Sequence, residues 1–413
     1  MRDNGTHWWQ IPRIWTILAT SLILMSACSS GGGQDDSAVT SSDSEGSSTA
    51  PSDPEDAVPW PDLTGSDLRF STSGWSTNFS RTSVKLSEIE SGGPGKDGIP
   101  PIDNPNFVTT AEADEFLAPD EPVMMLRVGD DVRAYPLQIL IWHEIVNDIV
   151  AGEPVVVTYC PLCNTAIAFR STVEGRVLDF GTTGNLRHSD LVMYDRQTES
   201  WWQQITGEAI VGELVGTTLD FVPAGIVAYS DFKASAPEGR VLSLQTGHER
   251  PYGSNPYVGY DTGTPFLFSG DVDTRLRSTE RVVAVVVDAE AAAYPFQVLE
   301  EERVVNDVVG GRPLVVLFKP GARSSLDTET IRDSRQVGAG VVFDRRVGER
   351  TLTFLAAGDF AADIETGSQW DITGRAVQGP LAGTRLEPVT HGNHFWFAWA
   401  VFRPDTHVYE GHD

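Results

Sequence analysis

The sequence predicts an α+β, β-rich fold, built as two tandem diverged copies of one β-rich unit behind a disordered N-terminal tether. Three observations carry that expectation. Short β-branched or alternating apolar runs recur between Gly-rich turns, and helical periodicity is scarce. The chain aligns with itself: AYPLQILIWHEIVNDIVAGEPVVVTY (Ala134 to Tyr159) matches AYPFQVLEEERVVNDVVGGRPLVVLF (Ala293 to Phe318) without a gap, at an offset of 159 residues. Ahead of both copies lies a Ser/Gly/Pro-rich acidic stretch that cannot form a core.

The N-terminal residues read as an export signal. Arg2 and Arg13 precede an apolar run, Ile14 to Met25, which is short for a membrane span. The run ends LMSAC, so residues 1–28 are expected to be a lipoprotein signal peptide with Cys28 as the lipidated residue. Residues 29–60 form the acidic tether, 61–250 the N-terminal copy, 251–266 a Gly/Pro/Tyr connector and 267–413 the C-terminal copy. No later segment is long and apolar enough to span a bilayer. The expected location is the extracytoplasmic face of the cell membrane, lipid-anchored through Cys28. A length of 413 residues is enough for two cores, and a net charge of -28 repels phosphate backbones, which excludes nucleic acid as a partner.

Inside the N-terminal copy, VMMLRV and VRAYPL predict a hairpin turning at Gly129-Asp130. LQILIWHEIVNDIV carries apolar residues at helical spacing and predicts a helix ending at Ala151-Gly152, with His143 and Asn147 on one face. PVVVTY reads as a strand buried on both faces. TAIAFRS and RVLDFGT read as strands joined near Glu174-Gly175. Further matches locate the differences between the copies. Phe169 and Phe180 fall on Phe343 and Phe354 at an offset of 174, and ITGEAIVG from Ile205 falls on ITGRAVQG from Ile372 at an offset of 167. The second copy therefore gains 15 residues where the first has its cysteines, then loses 7 around NLRHSDLVMYDRQTES.

The chemistry centres on VVVTYCPLCNTAIAF (Val155 to Phe169). A Cys-Pro-x-Cys turn between two strands has the form of a metal knuckle, whose backbone N–H groups stabilise two thiolates. In the second copy Cys160 becomes Lys319, Cys163 has no counterpart and His143 becomes Glu302. The joint loss makes His143 the expected third ligand, with Glu144, His188 and Asp190 in reserve, for one zinc or copper ion. Two alternatives stand beside it. One is a thiol-disulfide oxidoreductase acting on an exported protein through Cys160 and Cys163. The other is a non-catalytic module that binds a protein or small molecule and carries a structural disulfide. In an oxidising compartment such a pair tends to close, although so small a loop stabilises little.

Lys96, Asp97, Glu144, His188, Asp190, Asp195, Arg196 and Trp202 are expected to wall the site, much of it from Asn185 to Gln204. Trp201 and Trp202 read as half core, half platform. SGGPGKDGIP (Ser91 to Pro100) is not a phosphate loop: its spacing is short and Asp97 stands where Ser or Thr is required, so no nucleotide cofactor is expected. His391 and His394 read as structural.

GGPGKDGIP, WHEIVND, TYCPLCNTA, NLRHSDLVMYDRQTESWWQQ and the PY..Y connector together resemble the bacterial and archaeal family called domain of unknown function 3179, from about Ser91 to the C-terminus. The resemblance implies no established activity. It implies that Lys96, Asp97, His143, Glu144, Cys160, Cys163, Asp195 and Arg196 are the family's pattern. Members usually have Gly after the second cysteine, where this chain has Asn164.

Overall fold

The computed structural model describes residues 68–412. The expected signal peptide, Cys28 and the tether lie outside the described residues. The first half contains β1 (Ile89–Ser91), β2 (Phe107–Thr109), β3 (Pro122–Val128), β4 (Asp131–Pro136), α1 (Leu137–His143), β5 (Ile145–Val150), β6 (Glu153–Cys160) and β7 (Thr165–Arg170). It continues with β8 (Phe180–Arg187), β9 (Asp190–Asp195), β10 (Trp201–Gln203), β11 (Glu208–Val211), β12 (Phe221–Val222), β13 (Ala224–Ala228), α2 (Tyr229–Ser235) and β14 (Arg240–Leu242). These strands form three sheets, ordered β1-β8-β9-β10-β11, β12-β7-β6-β5 and β13-β3-β4-β14-β2.

The second half runs through a matching series. It comprises β15 (Arg281–Val287), β16 (Glu290–Pro295), α3 (Phe296–Glu302), β17 (Val304–Val309), β18 (Arg312–Lys319), β19 (Ala339–Asp344), β20 (Phe354–Ala357) and β21 (Phe360–Asp363). Then follow β22 (Gln369–Trp370), β23 (Ala376–Gln378), β24 (Glu387–Pro388), β25 (His391–Phe395), α4 (Trp396–Phe402) and β26 (His407–Val408). Its sheets are β20-β21-β22-β23, β17-β18-β19-β24 and β25-β15-β16-β26. Register matches too: Val123 opposes Pro136 as Val282 opposes Pro295, and Ile145 opposes Thr158 as Val304 opposes Leu317. Only the first half has the additional edge strands β1 and β2.

The hairpin at Gly129-Asp130 and the buried strand β6 form as the sequence predicts. The predicted long helix does not. It stops at His143, Glu144 turns left-handed at φ 59°, and Ile145 to Val150 pairs with β6 as a strand. Ile145, Val146, Ile149 and Val150 are β-branched, and pairing with the valine run of β6 outweighs helical spacing there. His143 and Asn147 therefore share no helical face. Asn147 instead pins β8, accepting from Phe180 N–H at 2.8 Å and donating to Phe180 C=O at 2.9 Å. Asn306 holds Phe354 in the same way.

Each half keeps a small apolar cluster of its own, around Trp201 in the first and Tyr294 in the second, but the two largest clusters span both halves. β7 packs on β25 and β13 packs on β19, while β13 and β25 touch each other. One apolar cluster runs through Val156, Phe169 and Trp202 of the first half and Val282, Phe395 and Trp396 of the second. The connector is tied to both: Trp142 Nε1 donates to Ser254 C=O and Asn255 donates to Thr328 C=O. No helix among the described residues is long and apolar enough to cross a membrane.

Candidate metal centre

β6 ends at Cys160, and the chain makes one 3-10 turn, Pro161–Cys163, before β7 begins. Pro161 opens that turn and Asn164 closes it at φ 51°, ψ 34°. Asn is among the residues that tolerate the left-handed region, so the departure from Gly leaves the turn intact. Both cysteines are buried and unbridged.

The third member comes from the β8–β9 hairpin. Its counterpart in the second half, β20–β21, has four residues per strand, whereas β8 and β9 have eight and six. The longer hairpin turns through His188 and Ser189, both at positive φ (53° and 68°) with neither a Gly nor an Asn. Such a turn is strained, and strain of this kind gathers at functional positions. It brings the Ser189 carbonyl to 3.6 Å from Cys160 Sγ. It also brings Asp190 to the cysteines: one ligand atom from each of Cys160, Cys163 and Asp190 lies within 4.8 Å of the others.

Asp190 is held by one oxygen only. Its Oδ2 accepts from Gln203 Nε2 at 2.6 Å and from Ile205 N–H at 3.0 Å. Its Oδ1 is buried and has no hydrogen-bond partner of regular geometry, and the Cys163 thiol is the donor that bears on the same carboxylate. Glu144, at the left-handed end of α1, makes no side-chain hydrogen bond among the described residues, and its carboxyl faces the charges of Asp190 and Cys160. Burial, and then the Asp190 charge, push Glu144 up to about 8. Burial raises Asp190 to about 6, with Ile205 N–H and Gln203 opposing. Burial likewise raises the Cys160 and Cys163 thiols, to which the nearby acids add. Four acidic groups thus converge where desolvation disfavours their anions. A divalent cation reverses that balance, because it deprotonates thiols and pairs with carboxylates. The donor set of two sulfurs and a carboxylate oxygen fits such an ion.

His143 is not part of this cluster. Its Nδ1 lies 2.7 Å from the Pro100 carbonyl and its Nε2 lies 2.7 Å from Tyr252 Oη. The carbonyl only accepts, so Nδ1 carries the proton, Nε2 accepts and Tyr252 donates. Burial keeps the ring neutral, lowering it to about 4. His143 is a clasp for the connector. Glu302, at the matching position, also accepts from a tyrosine, but from Tyr409 Oη near the C-terminus, at 2.8 Å. The His-to-Glu change exchanges one acceptor for another, so it is no mark of a lost ligand.

The remaining predicted wall residues fall into other groups. Asp195 accepts from Thr198 N–H at 2.6 Å, Thr198 Oγ1 at 2.9 Å and Trp202 Nε1 at 2.9 Å. Asp363, Thr366 and Trp370 repeat those three bonds at 2.6, 2.9 and 2.9 Å. Asp195 and Trp202 are scaffold, and Trp201 and Trp202 are both fully buried rather than half platform. Lys96 pairs with Glu199 at 2.5 Å and sits 4.4 Å from the Trp75 ring centre. Asp97 accepts from Tyr194 Oη at 2.6 Å, and Arg196 pairs with Asp103 at 2.8 Å. His188 faces Glu88, Phe268 and Phe402. His394 bonds Thr165 Oγ1 at 2.8 Å and stacks on Trp399, and His391 Nδ1 bonds the Val389 carbonyl at 2.7 Å.

Sequence reasoning missed Gln203, which holds Asp190. A signal existed. The offset between the halves is 168 at Trp202/Trp370 and 167 at Ile205/Ile372, so one residue is inserted in the first half between them.

The chain matches the family described as "Protein of unknown function (DUF3179)" over residues 96–406, most of its length, and belongs to it. No curated protein and no solved structure matches it.

Proposed function

We propose that this protein is an extracytoplasmic lipoprotein, anchored through Cys28, that holds one zinc ion on Cys160, Cys163 and Asp190, with Glu144, whose charge acts on both Asp190 and Cys160, as the fourth donor. The observation that carries the metal reading is Asp190 Oδ1: a buried carboxylate oxygen without a hydrogen-bond partner of regular geometry, beside two buried sulfurs. Zinc is preferred over copper because carboxylate oxygen is an ordinary zinc ligand, whereas copper(I) selects soft sulfur. Burial weighs against the oxidoreductase reading, since exchange with a partner needs an accessible thiolate. The duplication reading rests on the matching sheets and the paired Asp195/Asp363 hydrogen bonds. On that reading the second half kept the scaffold and lacks the cysteine turn and the long hairpin.

The test is zinc content and free-thiol count on the full chain, purified without chelator from an exporting host. About one equivalent of zinc is expected. Asp190→Asn and Cys160→Ser should each lose it, and His143→Gln should keep it. Absence of metal together with an oxidised pair would overturn the zinc site and favour the redox alternative. Cys28→Ser should move the protein from the membrane fraction to the soluble fraction; if it stays, the anchor lies elsewhere.

A further inference from the structure

A second feature lies where the halves meet, among residues that the zinc site does not use. A cavity of about 100 Å³ opens between β3 and β13 of the first half and β19 and β24 of the second. Val227, Val341, Phe343 and Leu386 form its apolar walls. Its origin is a size difference between matching positions. In the first half Phe221 opposes Phe169, and the two rings pack at 4.8 Å. In the second half Pro388 opposes Phe343 in the same register, and the missing ring leaves space.

The polar groups of this cavity are unpaired. Arg127 Nη2 and His391 Nε2 are buried without hydrogen-bond partners, and both residues line the space. Arg127 makes no ion pair among the described residues. Arg375 and Arg385 stand near it, and Arg385 also lines the cavity. The carboxylates around these arginines are Asp130 and Asp371. His391 Nδ1 donates to the Val389 carbonyl, so the neutral ring presents a lone pair at Nε2. One donor and one acceptor therefore face a largely apolar space, beneath an excess of positive charge in a strongly acidic protein. Each orphan is costly unless something fills it.

We propose that this cavity binds a short branched carboxylic acid, its carboxyl between Arg127 and His391 and its hydrocarbon against Val341 and Phe343. A carboxyl group accepts from the guanidinium through one oxygen. Through the other it shares a proton with His391 Nε2, so the species bound is carboxylate plus one proton. A cavity of about 150 Å³ holds benzene with its six carbons, so 100 Å³ admits about four, the isobutyl group of isovalerate, with the carboxyl at the cavity's edge beside Arg127 and His391. The guanidinium supplies the head-group preference and the missing aromatic ring sets the length.

Isothermal titration of the full chain with isovalerate tests this. Binding with a Kd of about 1 mM or tighter is expected, and 3-methylbutan-1-ol should bind at least about tenfold more weakly. Arg127→Met is the deciding variant, because the matching residue on β15 is the apolar Val286 and the strand accommodates such a side chain. It should weaken isovalerate about tenfold or more with the zinc content unchanged and Tm no lower. Pro388→Phe, which restores the ring found at Phe221, should abolish binding. No heat at isovalerate concentrations of about 20 mM would mean a cavity filled by water only and would overturn the proposal. So would equal binding by wild type and Arg127→Met. Loss of zinc in the wild type leaves this result unaffected, so the two sites fail separately.

Discussion

Asp195→Ala strips the acceptor from three donors at once. The Thr198 amide at 2.6 Å and the Trp202 indole at 2.9 Å lose charge-assisted bonds, while Thr198 Oγ1 keeps Ser200 Oγ at 2.7 Å. The Trp202 side chain is fully buried, so water does not replace the carboxylate. Bonds to a charged acceptor contribute about 1.5–3 kcal/mol each, and a stranded buried donor costs about 1–3 kcal/mol. Allowing for overlap between those figures, the substitution should cost about 3–5 kcal/mol. Asp363→Ala breaks the same three bonds around Trp370 and should cost the same within about 1 kcal/mol. Urea unfolding of the full chain at neutral pH, followed by tryptophan fluorescence, measures both. Zinc stoichiometry of the folded protein should be unchanged in each. A cost under about 1 kcal/mol for Asp195→Ala would refute the reasoning. Zinc loss in Asp195→Ala but not in Asp363→Ala would return Asp195 to the site.

Burial depresses His394 to about 3, so the unfolded chain takes up its proton first as pH falls. The stability it contributes is present above about pH 6.5 and lost on acidification; His394→Gln should shrink the stability difference between pH 7 and pH 4.5 by about 2–3 kcal/mol, read from urea midpoints. Gly184→Ala should detach the loop around Pro94, because at φ 73° its added carbon would sit 1.8 Å from the Pro94 carbonyl oxygen; faster proteolysis near Lys96 and a loss of about 2 kcal/mol or more are expected, and unchanged proteolysis contradicts the packing. His143→Phe should take one acceptor from Tyr252 Oη, which keeps Thr246 Oγ1, and strand the Pro100 carbonyl, at a cost of about 1–2 kcal/mol in thermal unfolding, with zinc retained.

The sheets were legible because their patterns are local. The hairpin at Gly129-Asp130 and the valine run of β6 needed no tertiary information. The end of α1 was not legible, because Glu144 takes a left-handed conformation without Gly or Asn to announce it. The cysteine pair was legible as the centre of a cluster, but the acidic residue that the structure brings to it, Asp190, ranked in the sequence only as a reserve behind His143. His143 seemed to vanish with the cysteines, and its true partner, Tyr252, lies 109 residues along the chain. Asp190 reaches the cysteines only because a hairpin is longer in one half, a property of two strands together. The Asp-x-x-Thr-x-Ser-x-Trp pattern shared by Asp195–Trp202 and Asp363–Trp370 was visible in the residues, but a single insertion after it shifted the alignment and hid the match.

The crossed packing of β7 on β25 and β13 on β19 bears on how the protein withstands proteolysis. Each half completes the other's interior, so the covalent link between them adds little to what holds them together. A protease that nicks the connector should therefore free neither piece, and the nicked chain should run as one species on gel filtration until the whole interior opens. Resistance to degradation then depends on the shared interior, and the exposed peptide bonds at its surface become expendable.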